Sequence, residues 1–505
     1  MKRKTLSVGL LVIAVVSAAV LGGSDVAFVP SANAAPEDKI EEAIASGVDW
    51  LASQQESDGR WGNWEQTAVT CFVLVELEER AYDLGYESPF DPDYPYSDNV
   101  IRGWQYIFRV PRTRRTPLGV QSHNGSPDNP DTNGNGYGIY FDTRGRSQTY
   151  STGICLMALA ASRTPNRPND GGLDYNGDGS PDTFKEIAQE AVDWLAFAQA
   201  DSEWPEGGWD YGAQDNAGDR ADNSNSGYAV LGLAYGEDFG CTVPDWVRTE
   251  LEVWINYIQY VGEGDNHGGS CYGEPPCDWG NELRTGNLIF EMTFVGYDSS
   301  VQRFQDALNY IVRHWQDPNT NTGWGYNVYP ADYQAMYTLA KGFKYSGIAQ
   351  IDTDDDGNRD DYWFNQEPPA LPPQDFATVL VTQQNADGSW PQTRWEEEGE
   401  PPILSTVWAL LTLERVTPPP PVSVPLRDAL LAEAEAHQVI QFDLNAPLQE
   451  RIFADGFVPN SPEFDVQVNG VQYRAQSAEH LETGTVRVYY AKALDWDNIQ
   501  FVERP

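Results

Sequence analysis

Apolar positions along this chain come in paired blocks. In KIEEAIASGVDWLAS, residues Ile40, Ala43, Ile44, Gly47, Val48 and Leu51 keep a rhythm of about 3.6 residues, which predicts a helix that is apolar on one face. The following block, TAVTCFVLVEL, is apolar nearly all round and predicts a helix covered on both sides. Between them lies a Gln- and Gly-rich turn ending in Trp, QQESDGRWGN, and the same succession returns late in the chain as VLVTQQNADGSW and then STVWALLTL. Six pairs align: 40–55 with 67–78, 99–110 with 151–162, 184–200 with 226–235, 244–260 with 285–295, 301–315 with 332–343, and 375–384 with 405–415.

Repetition decides architecture before any single residue suggests chemistry. Six buried helices, each covered by an amphipathic one, predict an all-α fold, an α6–α6 toroid, because closing the double ring removes the ends that an open stack must cap. The turns carry the joints. Gly59, Gly323 and Gly388 are expected in the left-handed conformation after the outer helix. Trp61, Trp209, Trp324 and Trp390 are expected to lie against the helix ends, with Gln54, Gln55, Gln383 and Gln384 bonding nearby backbone.

The W-L-x3-Q…D-G-x-W-G pattern, running from about residue 40 to 415, resembles the QW repeat of the squalene and terpenoid cyclases and of the related protein prenyltransferase β subunits. The resemblance implies the toroid, and implies that a ligand would meet the N-terminal ends of the inner helices. In this chain that rim carries Glu65, Arg144, Arg146, Asp222, Arg284, Asp332 and Glu397, with Asp332 also placed as a helix cap. The chemistries of the superfamily are not carried over. A D-x-D-D acid needs a dry cavity, whereas Asp352-Thr353-Asp354-Asp355 sits in the hydrophilic run DTDDDGNRDD after the fifth inner helix. D-D-x-x-D and the thioester string Cys-Gly-Glu-Gln are absent, and His123, His267 and His314 are scattered without the Asp and Cys of a zinc site.

Acidic residues outnumber basic ones 76 to 32, a net charge of −44 that excludes nucleic acid and anionic lipid as partners. Lys2, Arg3 and Lys4, the apolar stretch 6–23 and the A-x-A site Ala32-Asn33-Ala34 read as a cleavable signal peptide over 1–34, so the mature chain is expected to be secreted, periplasmic or at the cell surface. No other stretch is apolar enough to span a bilayer. Five cysteines leave at least one unpaired; Cys271 and Cys277 flank CYGEPPC and are expected to pair, whereas Cys71 and Cys155, at equivalent places in two inner helices, are expected as small buried hydrophobes.

Three acidic loops have the spacing that wraps a hard cation, with alternate oxygens at positions 1, 3 and 5 and a Gly for the sharp turn. Asp174, Asn176, Asp178 and Asp182 form one; Asp352, Asp354, Asp356 and Asp360 repeat it. The third has Asp131, Asn133 and Asn135, with Asp142 at position 12. Structural Ca²⁺ is the expected cofactor.

A proline run opens a linker at 417–422, which divides the toroid, 35–416, from a small accessory module, 423–505. PLRDALLAEAEAHQVI reads as a helix; FDVQVNGVQYRAQ and TGTVRVYYAKA alternate like strands, with Asn469-Gly470 as a hairpin turn, so the module is α+β or β-rich. The functional expectation is a secreted, calcium-stabilised toroid that binds a ligand or extracellular partner without the known superfamily catalysis. An enzyme acting on an isoprenoid or, behind it, on a polysaccharide is the alternative.

Overall fold

The computed structural model describes residues 34–109, 112–118, 121–123, 126–142, 147–200, 206–213, 221–273, 280–318, 321–353, 358–359, 361–365, 375–393, 396, 399–418, 439–443, 464–468, 471–473, 477–480, 485–489 and 499–503. The expected signal peptide, the A-x-A site up to Asn33, and most of the proline linker lie outside them.

Twelve α-helices occur among the described residues, and each predicted pair is found. They are α1 (Glu37–Ser53) and α2 (Gln66–Asp83), α3 (Ser97–Ile107) and α4 (Gln148–Ala161), α5 (Phe184–Ala198) and α6 (Asn223–Asp238). There follow α7 (Asp245–Ile258) and α8 (Glu282–Phe294), α9 (Gln302–His314) and α10 (Tyr333–Tyr345), and α11 (Phe376–Gln383) and α12 (Ile403–Leu413). The second helix of each pair packs against the next such helix: α2 on α4, α4 on α6, α6 on α8, α8 on α10, α10 on α12, and α12 back on α2. The first helices lie outside this cycle, each against one or two of its members.

Glycines let the inner helices touch backbone to backbone. A Cβ on Gly153 of α4 would stand 2.1 Å from the Tyr228 carbonyl of α6, and one on Gly232 of α6 would stand 2.6 Å from the Cα of Gly153. The contact recurs between α8 and α10, where a Cβ on Gly342 would lie 2.8 Å from the Gly286 carbonyl. Only a residue without a side chain permits this approach.

The turns are built alike in four of the six pairs. Gln55, Gln199, Gln259 and Gln384 each donate their side-chain amide to the carbonyl of their own turn's glycine, Gly59, Gly207, Gly268 and Gly388. The same amide also bonds a carbonyl of the next outer helix: Asn99, Val247, Arg303 and Ala43 respectively. All four glycines have positive φ. Gly323 departs from expectation; the positive-φ residues of its turn are Gly325, at φ 89°, and Asn327, at φ 55°. Trp61, Trp209 and Trp390 are fully buried, their indole N–H bonded to the carbonyls of Leu51, Leu195 and Leu380. Trp324 is buried too, but its backbone N–H goes to the Glu282 carboxylate, where the other three use a Thr or Ser hydroxyl of the following inner helix. Its turn is the variant one.

The cysteines correct the sequence reading. Cys71 and Cys155 are joined, 84 residues apart with Cα atoms at 5.0 Å, and cross-link α2 to α4. Equivalent places on adjacent helices of a closed cycle face each other, which the linear repeat does not display. Cys271 is also disulfide-bonded; its expected partner, Cys277, lies outside the described residues. Cys241 is free and buried.

Short strands occupy two of the connections between helices, α3 to α4 and α10 to α11. β1 (Thr113–Pro117) runs antiparallel to β4 (Tyr137–Phe141), which packs against α5. β2 (Gln121–His123) pairs with β3 (Ser126–Asp128), and β5 (Gln350–Ile351) with β6 (Asp361–Tyr362). Beyond the linker come β7 (Val439–Asp443), β8 (Phe464–Val468), β9 (Val471–Tyr473), β10 (Ser477–His480), β11 (Thr485–Tyr489) and β12 (Ile499–Glu503). They form two antiparallel sheets, ordered β10-β11-β7 and β12-β8-β9, with Val468 opposite Val471 as a two-residue connection requires. The segment expected as a helix lies outside the described residues except for its last two, Val439 and Ile440, which begin β7. No helix among the described residues is long and apolar enough to cross a membrane.

Candidate functional site

The middle of the inner cycle is filled by rings. Phe72 of α2 meets Tyr228 of α6, Tyr337 of α10 and Trp408 of α12 edge-on, with centroids 5.8, 6.2 and 6.4 Å away. These residues project from four of the six inner helices and all are buried. Beside them sits an ionisable pair, Lys341 of α10 and Glu291 of α8. The Lys341 ammonium lies 5.3 Å from the Tyr228 and Phe290 ring centroids and has no hydrogen-bond partner, nor has either Glu291 oxygen. Burial pushes Lys341 down to about 7, opposed by the Glu291 charge, and pushes Glu291 up to about 8, opposed by Lys341.

The rim at the inner-helix N-termini uses its carboxylates structurally. Asp222 caps α6 by accepting from the Asn225 backbone N–H at 2.9 Å, and Asp332 caps α10 by accepting from Ala335 at 3.0 Å. Glu65 precedes α2 in the left-handed region, φ 44°, without capping it. Arg144, Arg146 and Glu397 lie outside the described residues.

Sequence reasoning missed the tyrosines of this rim. Tyr211 and Tyr272 bring their hydroxyls to 3.4 Å, Ser224 lies 3.5 Å from the Tyr272 hydroxyl, and the Arg284 guanidinium stands 5.0 Å over the Tyr272 ring. Tyr150 meets the Tyr211 ring edge-on at 6.1 Å, and Gln334 donates to the Tyr228 hydroxyl at 3.4 Å. A signal was present for Tyr211, which stands two residues after the turn Trp209.

Two of the acidic loops share one geometry. Asp131 accepts the backbone N–H groups of Gly134 (2.8 Å) and Gly136 (2.7 Å), as Asp174 accepts those of Gly177 (2.7 Å) and Gly179 (3.1 Å). Asn133, Asn135, Asn176 and Asp178 each accept the amide two residues on. Asp182 returns to its own loop, accepting from Tyr175 at 2.8 Å, and burial raises its carboxyl. Asp142 does not return. After Gly136 the chain runs on as β4, which puts Asp142 at the strand's far end, roughly 15–20 Å away at 3.3 Å per residue. Instead Glu190 of α5 accepts from the side-chain amides of Asn133 (2.6 Å) and Asn135 (2.7 Å). One turn further along, Asp193 accepts from the Thr132 N–H (3.1 Å) and hydroxyl (2.8 Å).

Of the remaining loop, Asp352 is buried after β5, and Thr353 bonds Asp361 through its N–H at 3.0 Å. Asp354, Asp356 and Asp360 lie outside the described residues. The D-x-D-D string therefore begins on a connection between α10 and α11, not on an inner helix. Among the described residues no three His, Cys, Asp or Glu side chains converge as a metal-binding group.

No protein-family model matches this chain, and no curated protein matches it. Solved structures similar to it include the apo type II terpene cyclase MstE from Scytonema, 14% identical over 75% of this chain and 98% of that one, TM-score 0.39. An inactive variant of the α-1,6-mannanase of a Salegentibacter species, in complex with α-1,6-mannotetrose, is 12% identical over 74% and 98%, TM-score 0.43. The unsaturated glucuronyl hydrolase of a Bacillus species is 12% identical over 74% and 96%, TM-score 0.39.

Proposed function

We propose that this protein is a secreted α6–α6 toroid of the QW-repeat kind, followed by a β-rich module, which binds a ligand or extracellular partner and does not perform cyclase or prenyltransferase chemistry. The observation that carries this reading is the ring-filled centre. An alkene-protonating site needs a dry cavity around a protonated acid with room for a hydrocarbon, and the level occupied by Phe72, Tyr228, Tyr337 and Trp408 is taken up by the protein's own side chains. The rim above it offers tyrosine faces, hydroxyls, the Gln334 amide and the Arg284 guanidinium, side chains that suit a polyhydroxylated ligand.

Two further parts belong to this reading. Signal cleavage after Ala34 would start the mature chain at Ala35, whose buried N–H already bonds the Thr378 hydroxyl at 3.1 Å. Ca²⁺ bound at the acidic loops would offset their mutual repulsion and hold the excursions in place.

The test incubates the purified mature protein with squalene and with geranylgeranyl diphosphate, then titrates it with soluble oligosaccharides while following Tyr and Trp fluorescence. We expect no cyclised or transferred product, and saturable quenching that Tyr272→Ala abolishes. A cyclised product, or quenching indifferent to Tyr272→Ala, overturns the reading. N-terminal sequencing of exported protein should begin at Ala35.

A further inference from the structure

The Asp131 loop meets α5 through a carboxylate that lies far from it in sequence. Glu190 is 4% exposed; its Oε1 takes both loop amides, while Oε2, on the same carboxylate, is buried without a hydrogen-bond partner. An unsatisfied oxygen on a buried carboxylate is costly, and a missing ion is among its few explanations. The surrounding charge is of one sign. Asp131 and Asp193 are its ionisable neighbours, and none of the three forms an ion pair among the described residues. Burial raises Glu190 to about 7, with the two amides opposing the rise and the neighbouring aspartates adding to it.

We infer that Asp131, Asn133, Asn135 and Glu190 make up a divalent-cation site for Ca²⁺, with Glu190 of α5 in the place that the loop spacing assigns to Asp142. The inference rests on the calcium reading above and deepens it. The donor set is hard: two carboxylates and the amide oxygens of Asn133 and Asn135, each of which accepts one backbone N–H and keeps a lone pair for an ion. Two negative charges then balance one divalent cation. Asp193 is assigned to holding the loop over Glu190: it accepts from the Thr132 N–H and hydroxyl, one turn further along α5, and from the Gln189 amide. Bound Ca²⁺ would fasten the β1–β4 excursion to an outer helix of the ring.

The experiment uses the full mature chain, stripped with EDTA, and counts Ca²⁺ sites by equilibrium dialysis. Tb³⁺ luminescence sensitised by Tyr137, two residues beyond Asn135, reports on this site. We expect Glu190→Gln and Asp131→Asn each to remove one Ca²⁺ per chain and to weaken Tb³⁺ binding at least tenfold, with native circular dichroism, while Asp142→Asn leaves both unchanged. Glu190→Gln binding as wild type, or Asp142→Asn losing the site, overturns the assignment and leaves calcium at the other loops standing. A wild-type chain that binds no Ca²⁺ overturns both. If Glu190→Gln does not fold, Asp131→Asn against Asp142→Asn decides: the site stands if only the first loses an ion and falls otherwise.

Discussion

Gln384, at the end of the last outer helix, donates its side-chain amide to the backbone carbonyl of Ala43 in the first, 341 residues away in sequence and 2.8 Å away in space. The bond is the same one that Gln55, Gln199 and Gln259 make to their successors, so the sixth unit treats the first as the seventh.

Gln384→Ala should therefore lower stability by about 1–3 kcal/mol, since it removes the amide's bonds to the Gly388 and Ala43 carbonyls at a packed joint. Gln54→Ala, whose amide meets only the exposed Ser53 hydroxyl, should change little. Urea unfolding of both variants checks this. Gly388→Ala should cost more than Gln384→Ala, because its φ is positive and a Cβ would stand 2.3 Å from the Ser46 carbonyl.

Removing the Cys71–Cys155 bridge should destabilise strongly. It closes a loop of 84 residues, for which chain entropy alone gives about 4–5 kcal/mol. Paired Cys71→Ala and Cys155→Ala substitution should reproduce the loss seen when wild type is unfolded in urea with reductant, and reductant should have a much smaller effect on the variant.

The buried Lys341 and Glu291 make no hydrogen bonds, so the pair adds little to stability. Lys341→Met with Glu291→Met should be neutral or stabilising, up to about 1–4 kcal/mol, because the double change avoids the desolvation of two charges. Lys341→Met alone should leave Glu291 protonated at neutral pH. Thermal unfolding of the single and double variants reads this out.

Calcium should matter more as pH rises. Glu190 and Asp193 are lifted from 4.5 and 3.8 to about 7 and about 6, chiefly by burial, so the folded state binds more protons than the unfolded state across that window. In EDTA both groups take stability away as pH rises from about 4 through 7. Ca²⁺ favours the charged carboxylates, and the difference in melting temperature between Ca²⁺ and EDTA should widen over the same range. Glu190→Gln should flatten that difference curve.

The helical pairs and their turns were legible in the sequence because each has a local cause: a periodic apolar face, a left-handed glycine, a Gln within reach of its own turn. The departures concern contacts between units. Cys71 and Cys155 looked like two hydrophobes because their facing depends on the closed cycle. Asp142 fitted a twelve-residue spacing, but β4 carries it away, and Glu190 takes up the contact from more than fifty residues downstream. Gly323 looked equivalent to Gly59, yet positive φ falls in its turn at Gly325, directly after the Trp as Gly62 is after Trp61, and at Asn327. Of the rim tyrosines only Tyr211 was marked in the sequence, by its Trp-x-Tyr string; Tyr150, Tyr228 and Tyr272 come to the rim from other elements.

The seam of the ring also joins the beginning of the helical body to its end. Ala35 is tied to Thr378 and Asn365, and Arg80 pairs with Glu41 while reaching Glu414 at 3.9 Å. The polypeptide thus enters and leaves its helical body at one edge, so a short peptide could splice the two ends and new termini could be opened in a turn elsewhere. A circularly permuted helical body should keep the same order of neighbours around the ring.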